Sequence, residues 1–183
     1  TIEETRTENL IKVAARGALP IMLNYYGAHT GRFSGGDKLN LQNLPRNGAI
    51  RKAITAPKGY NLIACDSSQI EARMVAYIAG QDDLVQAFRE GRDVYSEFAS
   101  EVYGRTVTKS DKIQRFVGKT CILGLGYGMG HIKFRATLAL GQGGIAVDID
   151  ENEAKRIVNL YRQKNHKIVS LWNSCNHALK GMV

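Results

Sequence analysis

The chain has 183 residues, of which 44% are hydrophobic, so it is long enough to bury a core and too apolar to be disordered. Lys and Arg number 25 against 17 Asp and Glu, a formal net charge of +8, which favours a polyanion such as nucleic acid as partner. No apolar run is long enough to span a bilayer and no signal peptide opens the chain, so no membrane partner is expected. The cysteines, Cys65, Cys121 and Cys175, show neither metal-site nor disulfide spacing, which indicates a reduced, cytoplasmic setting.

The first third of the chain mixes one helix with strands and loops. In chain order, the pattern predicts a helix over 3–16, a strand over Ile21–Tyr26, a long glycine-rich loop over 27–46, and strands over Arg51–Thr55 and Tyr60–Cys65. A turn at Ala-Pro57-Lys-Gly59 joins the last two strands.

The rest of the chain predicts helices. Ser68 followed by Glu71 fits a capping box, and the helix that it opens has an apolar stripe of Ile70, Met74 and Ile78 and ends at Gly80. Further helices are predicted over 82–90, 93–103, 109–125, 130–140, 150–165 and 166–181. Strands early and helices late indicate an α+β protein with a helical subdomain.

Asp66 is the first candidate for chemistry, because it stands where a predicted strand passes into a helix. A carboxylate at that point can bind Mg²⁺, but an Asp that only shapes the turn is the alternative. A two-metal site needs a second carboxylate. The other candidates are expected to be helix caps or surface charges; they are Asp37, Asp82, Asp93 and Asp111.

Arg115, Lys119, Leu123 and Tyr127 recur at every fourth residue and therefore form a stripe along one helix face. Two cations one turn apart repel each other. We expect an anionic partner, of which a polyphosphate is the obvious candidate. The alternative is a solvated basic face.

Two common nucleotide-binding motifs are excluded in this region. A P-loop ending in Gly118-Lys119-Thr120 would need glycine where Ile113 stands, and a dinucleotide motif would need glycine in place of Met129. The glycines between 124 and 130 are better explained by helix termination and by close approach of another group.

In order along the chain, three motifs resemble those of the family A DNA polymerases. Thr30-Gly-Arg32-Phe-Ser34 followed by Asn40-Leu-Gln42-Asn-Leu-Pro45 resembles the T-G-R-[LF]-S and N-L-Q-N-[IL]-P region. Asp66-Ser-Ser-Gln-Ile-Glu71-Ala-Arg73 resembles motif A, D-Y-S-Q-I-E-L-R. Arg115-x3-Lys119-x7-Tyr127-Gly128 resembles motif B, R-x3-K-x6/7-Y-G. The resemblance covers residues 20–140 well and the C-terminal helices weakly.

The resemblance implies an α+β fold in which a partial palm with an antiparallel sheet adjoins a mainly helical fingers subdomain. Residues 1–80 would be the partial palm, 81–165 the fingers, and 166–183 a helix that leads back to the palm. The implied activity is template-directed transfer of a nucleotidyl group from a dNTP to a primer 3′-end, so that primer–template DNA and dNTPs are the expected partners.

The resemblance also implies roles for individual residues. Asp66 and the carbonyl of Ser67 would bind Mg²⁺. Arg115 and Lys119 would bind the triphosphate, with Lys119 also a general acid to the pyrophosphate. The remaining nucleotide-binding residues would be Gln69, Glu71, Leu123 and Tyr127. Glu71 would crowd the ribose 2′ position, Leu123 would lie at the sugar, and Tyr127 would stack at the templating position. Arg32, Asn40 and Gln42 would line the primer–template minor groove together with Tyr127 as DNA-binding residues.

The chain departs from the family pattern at three positions, and these departures suggest a phage or prophage branch. Leu123 replaces the usual Phe or Tyr, Ser67 replaces the Tyr of motif A, and Tyr95 replaces the histidine of D-I-H. The H-D-E of motif C, which supplies the second catalytic aspartate, is absent from the 183 residues, so the chain is interpreted as a fragment that is inactive alone. An exposed palm edge could pair copies of it non-physiologically.

Two other functions remain open at this stage. One is a non-catalytic nucleic-acid-binding module, which the +8 charge supports. The other is a single-subunit RNA polymerase, a relative with a similar palm, against which Glu71 in a motif A of DNA-polymerase type argues. The compartment would be the cytoplasm of a bacterial cell or of a phage-infected host.

Overall fold

The computed structural model describes residues 2–36, 40–44 and 48–182, which divide into two compact units, Thr1–Cys65 and Asp66–Val183. Two residues of the sequence interpretation, Asp37 and Pro45, lie outside the described residues.

The first unit contains a helix, a short hairpin and two further helical turns. They are α1 Ile2–Ala14, β1 Leu23–Asn24, β2 Ser34–Gly35, a 3-10 turn Leu41–Asn43 and α2 Ala49–Ala53. β1 and β2 pair antiparallel, with Leu23 opposite Gly35 and Asn24 opposite Ser34. The predicted strand over Ile21–Tyr26 is therefore present but shorter. With the helices of the second unit, this two-stranded sheet confirms the α+β class.

The two strands predicted before Asp66 are wrong. Arg51 and Lys52 lie in α2, where good helix formers follow the N-cap Gly48 and outweigh the β preference of Ile54 and Thr55. Tyr60–Cys65 carries no strand in the described part of the chain, because a strand needs a hydrogen-bonded neighbour and none of the described segments pairs with it.

The second unit is helical throughout its described residues. Its helices are α3 Ile70–Ala79, α4 Asp82–Arg89, α5 Val94–Tyr103, α6 Lys112–Gly124, α7 His131–Leu140, α8 Glu151–Lys164 and α9 His166–Lys180, with a 3-10 turn Leu125–Tyr127 after α6. These bounds confirm the helices predicted between residue 82 and residue 181 to within a few positions.

The core of this unit is centred on α5 and α6. Val117 and Cys121 of α6 are fully buried, and burial raises the pKa of the Cys121 thiol. Phe98 of α5 meets Tyr161 of α8 edge-to-face, with the ring centroids 5.6 Å apart. At Gly118, a methyl group would collide with the carbonyl oxygen of Tyr95, so glycine lets the two helices approach each other closely.

The apolar stripe predicted for α3 is wrong about which face is buried. Ile70, Met74 and Ile78 are 46%, 45% and 61% exposed, whereas Ala72 and Ala76 are buried. The small side chains allow α3 to lie close to α4 and α6, and the larger side chains remain outside this packing.

In the described part of the chain, no helix combines the length and the apolar character that crossing a bilayer requires.

Candidate functional site

The stripe predicted from the sequence lies on α6 and on the 3-10 turn that follows it. Arg115, Lys119 and Leu123 are half-buried on α6, and Tyr127 is 60% exposed in the turn. Gly128 ends this segment with φ +75°, a left-handed conformation that favours glycine. Helix termination accordingly explains one of the glycines between 124 and 130.

Arg115 has an anionic partner within the chain. Its Nε donates to Asp93 Oδ2 at 2.7 Å and its NH2 donates to Asp93 Oδ1 at 3.1 Å. The guanidinium carbon also lies 5.2 Å from the centre of the Tyr95 ring, within the range of a cation–π contact. The anion expected beside Arg115 is therefore present without a ligand, and the basic stripe alone does not require an external polyphosphate.

Asp93 precedes α5 at the N-cap position. It accepts a hydrogen bond from Ser96 Oγ at 2.8 Å and the two from Arg115. Burial alone would raise the pKa of Asp93, yet the hydrogen bonds from Arg115 and Ser96 outweigh burial and lower it. Asp93 is thus an ionised partner of Arg115 at neutral pH.

Lys119 is bonded to a different part of the chain. Its Nζ donates to Gln142 Oε1 at 3.1 Å. Gln142 begins a tight turn and pairs with Ile145 at the other end of that turn. A cavity of about 320 Å³ lies beside this contact, between α6, α7 and the turn, with Leu123, Met129 and Thr137 in its lining.

The segment that carries Tyr127 is fixed from α9. Trp172 Nε1–H donates to the carbonyl oxygen of Gly126 at 3.1 Å. A methyl group at Gly126 would lie 3.4 Å from the Tyr161 hydroxyl. These contacts hold the 3-10 turn against α8 and α9 while the Tyr127 ring stays exposed.

Asp66, Ser67 and Ser68 lie in an exposed turn before α3. The predicted capping box of Ser68 and Glu71 is wrong, because Gln69 occupies the N-cap position, with no side-chain cap bond. Gln69 has φ +58°, which displaces Ser68 from the helix start, and the carbonyl oxygen of Ser68 instead accepts Arg73 Nε at 2.9 Å.

Arg73 is half-buried and packs on α4. Its NH1 donates to the carbonyl oxygen of Phe88 at 3.3 Å, and its guanidinium carbon lies 4.9 Å from the Phe88 ring centre. Arg73 therefore ties the turn that carries Asp66 to α4.

Gln69 connects this turn to the residues that contact Arg115, which are Asp93 and Tyr95. Its side chain forms a hydrogen bond with the hydroxyl of Tyr95, the residue whose ring lies under Arg115. Burial raises the pKa of Tyr95, although the bond from Gln69 and the charge of Arg115 oppose that shift. The structure therefore joins residues of motif A and motif B through a tyrosine.

For a metal, the described residues contain no group of three His, Cys, Asp or Glu side chains. The carboxylate of Asp66 and the backbone carbonyl of Ser67 are hard oxygen donors in one exposed turn. Mg²⁺ keeps several waters and is bound through one or two carboxylates together with substrate phosphates. The donor set fits part of a magnesium site.

The predicted DNA-binding residues of the first unit are exposed. Asn40 Oδ1 accepts the backbone N–H of Gln42 at 3.0 Å, which caps the 3-10 turn. Asn40 also packs on Gly35, where a methyl group would lie 2.5 Å from its side-chain carbon. The Arg32 carbonyl oxygen accepts the N–H of Ala28 at 3.1 Å. The structure thus brings Asn40 and Gln42 together.

Sequence reasoning did not identify the partners of the stripe. Asp93 was interpreted as a cap or surface charge and Tyr95 only as a departure, and nothing pointed to Gln142 or Trp172. The one available signal was the unbalanced charge of Arg115 and Lys119, which predicts an anion without saying where along the chain it stands.

Comparisons with known proteins agree with the motif pattern. The sequence model described as DNA polymerase family A matches residues 1–181. The thermostable DNA polymerase I of Thermus aquaticus is 35% identical over 156 residues, which are 83% of this chain and 18% of that protein. DNA polymerase I of Pseudomonas aeruginosa is 45% identical over 106 residues, 56% of this chain and 12% of that protein.

A solved structure, the POL domain of Pol1 from M. smegmatis in complex with DNA primer-template and dNTP, is also similar. It superposes with a TM-score of 0.73 at 28% identity and covers 95% of this chain and 30% of that one. The chain belongs to DNA polymerase family A. It spans only 12–18% of the length of the DNA polymerases I named above.

Proposed function

We propose that this chain is part of a DNA-directed DNA polymerase that transfers a nucleotidyl group from a dNTP to a primer 3′-end and releases pyrophosphate. The observation that carries the proposal is the link between two motifs of the family. Gln69, three residues after Asp66, contacts Tyr95, and the Tyr95 ring contacts Arg115 of α6.

In this proposal the α6 stripe binds the incoming nucleotide. Arg115 and Lys119 carry positive charge toward the triphosphate, and Lys119 can protonate the leaving pyrophosphate. Leu123 packs on the sugar and Tyr127, which is exposed, stacks at the templating position. Gln69 and Glu71 complete the pocket from α3, with Glu71 crowding the ribose 2′ position.

Asp66 and the carbonyl of Ser67 would hold Mg²⁺, which, when bound, neutralises phosphate charge and lowers the pKa of the primer hydroxyl. The protein's own part in this site is to keep the turn before α3 in place. Gln69 and Arg73 do so through Tyr95 and Phe88.

Primer–template DNA is the proposed macromolecular partner, with Arg32, Asn40 and Gln42 at its minor groove. The reaction would take place in the cytoplasm of a bacterial cell or a phage-infected host, and a phage branch stays a prediction. So does pairing of copies through an exposed palm edge.

The test is Asp66→Ala in the intact polymerase that carries this chain, with single-nucleotide incorporation measured. A metal-binding carboxylate predicts a loss of more than tenfold, which is more than about 1.4 kcal/mol of barrier. Asp148→Ala, at an exposed position between α7 and α8, is the control and should change the rate little. A smaller loss at Asp66 would refute its assignment as metal ligand.

A second candidate is a nucleic-acid-binding module without catalysis. It is favoured by the Asp93–Arg115 pair, because Arg115 has a partner without any nucleotide. Such a module predicts salt-dependent DNA binding that added dNTP leaves unchanged. Magnesium-dependent primer extension by the 183-residue chain alone would contradict the prediction that it is inactive, and efficient use of rNTPs by the intact enzyme would favour an RNA polymerase.

A further inference from the structure

Arg115 is held from two directions by residues at the start of α5. Asp93 accepts hydrogen bonds from the Nε–H and from one N–H of NH2, and the guanidinium carbon lies over the Tyr95 ring. A guanidinium has five N–H donors, so Asp93 leaves three of them for other acceptors. Those three include both hydrogens of NH1, which stay fixed in direction because the opposite edge is bound bidentately.

The pair is also asymmetric in its burial. The Asp93 side chain is 16% exposed and the Arg115 side chain is 31% exposed. The carboxylate is therefore the inner member of the pair, and the cation is the member that reaches solvent. A salt bridge with this arrangement keeps its positive end available to an incoming anion.

Tyr95 extends the arrangement to the turn before α3. Its side chain is buried, and its hydroxyl is bonded to Gln69. Gln69 adopts φ +58°, a conformation that residues other than glycine rarely adopt. The residue that contacts Tyr95 thus has an unusual backbone conformation and stands three residues after Asp66.

We infer that Asp93 and Tyr95 are positioning residues for triphosphate binding. Asp93 orients the Arg115 guanidinium so that its free edge meets the phosphate oxygens, and Tyr95 keeps that edge in register with the turn that carries Asp66. The inference rests on the proposed function, because it takes Arg115 to be a triphosphate ligand. The opposite possibility, that Asp93 competes with the phosphate for Arg115, predicts tighter nucleotide binding when the carboxylate is removed.

The experiment is Asp93→Asn in the intact polymerase, measured by single-turnover incorporation over a range of dNTP concentrations. We expect the half-saturating dNTP concentration to rise about tenfold, because a charge-assisted bidentate contact is lost. The maximal rate should change by less than about threefold, because the reacting atoms are untouched. A fall in the half-saturating concentration would overturn the inference.

Asp111→Asn is the matched control. Asp111 is also a carboxylate bonded to an arginine, Arg105, at 3.1 Å, and it lies at the N-cap of α6 itself. Its replacement disturbs the start of the same helix without removing a contact of the Arg115 side chain. We expect the half-saturating dNTP concentration to stay within about twofold. An effect equal to that of Asp93→Asn would mean that the dNTP effect comes only from the stability of α6, and would overturn the inference.

The Arg115→Ala background separates the inference from the proposed function. In that background, Asp93→Asn should raise the half-saturating dNTP concentration by less than about a further twofold, because a residue that acts through Arg115 has nothing left to position. An undiminished effect overturns the inference while leaving Arg115 a nucleotide ligand. If Arg115→Ala itself leaves dNTP binding unchanged, the proposed role of Arg115 is wrong.

Tyr95 gives a second test, which stands even if Asp93→Asn fails to fold. Tyr95→Phe removes the bond to Gln69 but keeps the ring, and should raise the half-saturating dNTP concentration about threefold. Tyr95→Leu also removes the cation–π contact and should raise it further. The further effect of Tyr95→Leu, which comes from the ring contact, should vanish in the Arg115→Ala background, and its persistence there, or no effect in either variant, would overturn the role of Tyr95.

Discussion

At the scale of single residues, the Asp93–Arg115 pair makes stability depend on acidity. The pKa of Asp93 is lowered from its ordinary 3.8, so the pair stabilises the fold fully above about pH 4 and loses this effect as pH falls through the lower folded value. We predict that Asp93→Asn lowers the free energy of unfolding near neutral pH by about 1 kcal/mol. The deficit should shrink below pH 4.

Urea denaturation of both proteins at several pH values would measure this difference. Asp82→Asn is the control, because Asp82 pairs with Lys167 at 3.2 Å on an exposed surface, where a pair contributes little. A deficit for Asp93→Asn that is the same at pH 3 and pH 7 would contradict the prediction.

Gly118 gives a second prediction at this scale. An alanine methyl there would meet the backbone carbonyl of Tyr95, and backbone cannot move aside as a side chain can. We predict that Gly118→Ala lowers the free energy of unfolding by about 1–3 kcal/mol despite the better helix propensity of alanine. Thermal and urea unfolding would measure it.

Gly124→Ala is the matched variant, because it adds the same methyl to the same helix. There the methyl meets only the end of the flexible Met129 side chain, 2.9 Å away, so the stability should stay within about 1 kcal/mol of the original. Equal losses for the two variants would show that the close contact of α5 and α6 is not the cause.

At the scale of elements, Gln81 connects α4 to the junction of α8 and α9. It is only 3% exposed. Its Oε1 accepts the backbone N–H of Lys167 at 3.1 Å, and its Nε2 donates to Asp83 at 2.7 Å. We predict that Gln81→Ala destabilises the protein by about 1–3 kcal/mol, because a buried side chain is removed and the backbone N–H of Lys167 loses its acceptor.

The comparison is Gln86→Ala. Gln86 lies on the same helix and donates to Glu90 at 2.8 Å, but it is exposed. Its removal should change the free energy of unfolding by less than about 0.5 kcal/mol. Similar values for the two variants would refute the bridging role of Gln81.

The elements also show how far the sequence could be interpreted. The helices after residue 81 were predictable because apolar periodicity and glycine ends agree. The absence of a strand over Tyr60–Cys65 was not predictable, because periodicity does not show whether a segment has a neighbour to pair with. The start of α3 was missed because Gln69 has a positive φ, which the residue types Ser68 and Glu71 do not indicate. Asp93 and Arg115 stand 22 positions apart, and no periodicity relates them.

At the scale of the whole molecule, burial predicts a gradient of local stability. Ala99, Val117 and Cys121 are fully buried in α5 and α6, whereas residues 61–67 are exposed and belong to no described helix or strand. We predict that backbone amides of α5 and α6 exchange with deuterium most slowly and those of 61–67 fastest. Mass spectrometry of peptides from the intact chain would measure this, and equal rates in both regions would contradict it.

The contact at Gly118 has a mechanical consequence. The backbones of α5 and α6 touch at Gly118, and the Asp93–Arg115 pair also joins the two helices. They therefore resist sliding past each other and move as one rigid unit. Any swing of α6 then carries Asp93 and Tyr95 with it. At the end of α6 that carries Tyr127, such a movement would also pull on α9, because Trp172 Nε1–H donates to the carbonyl oxygen of Gly126.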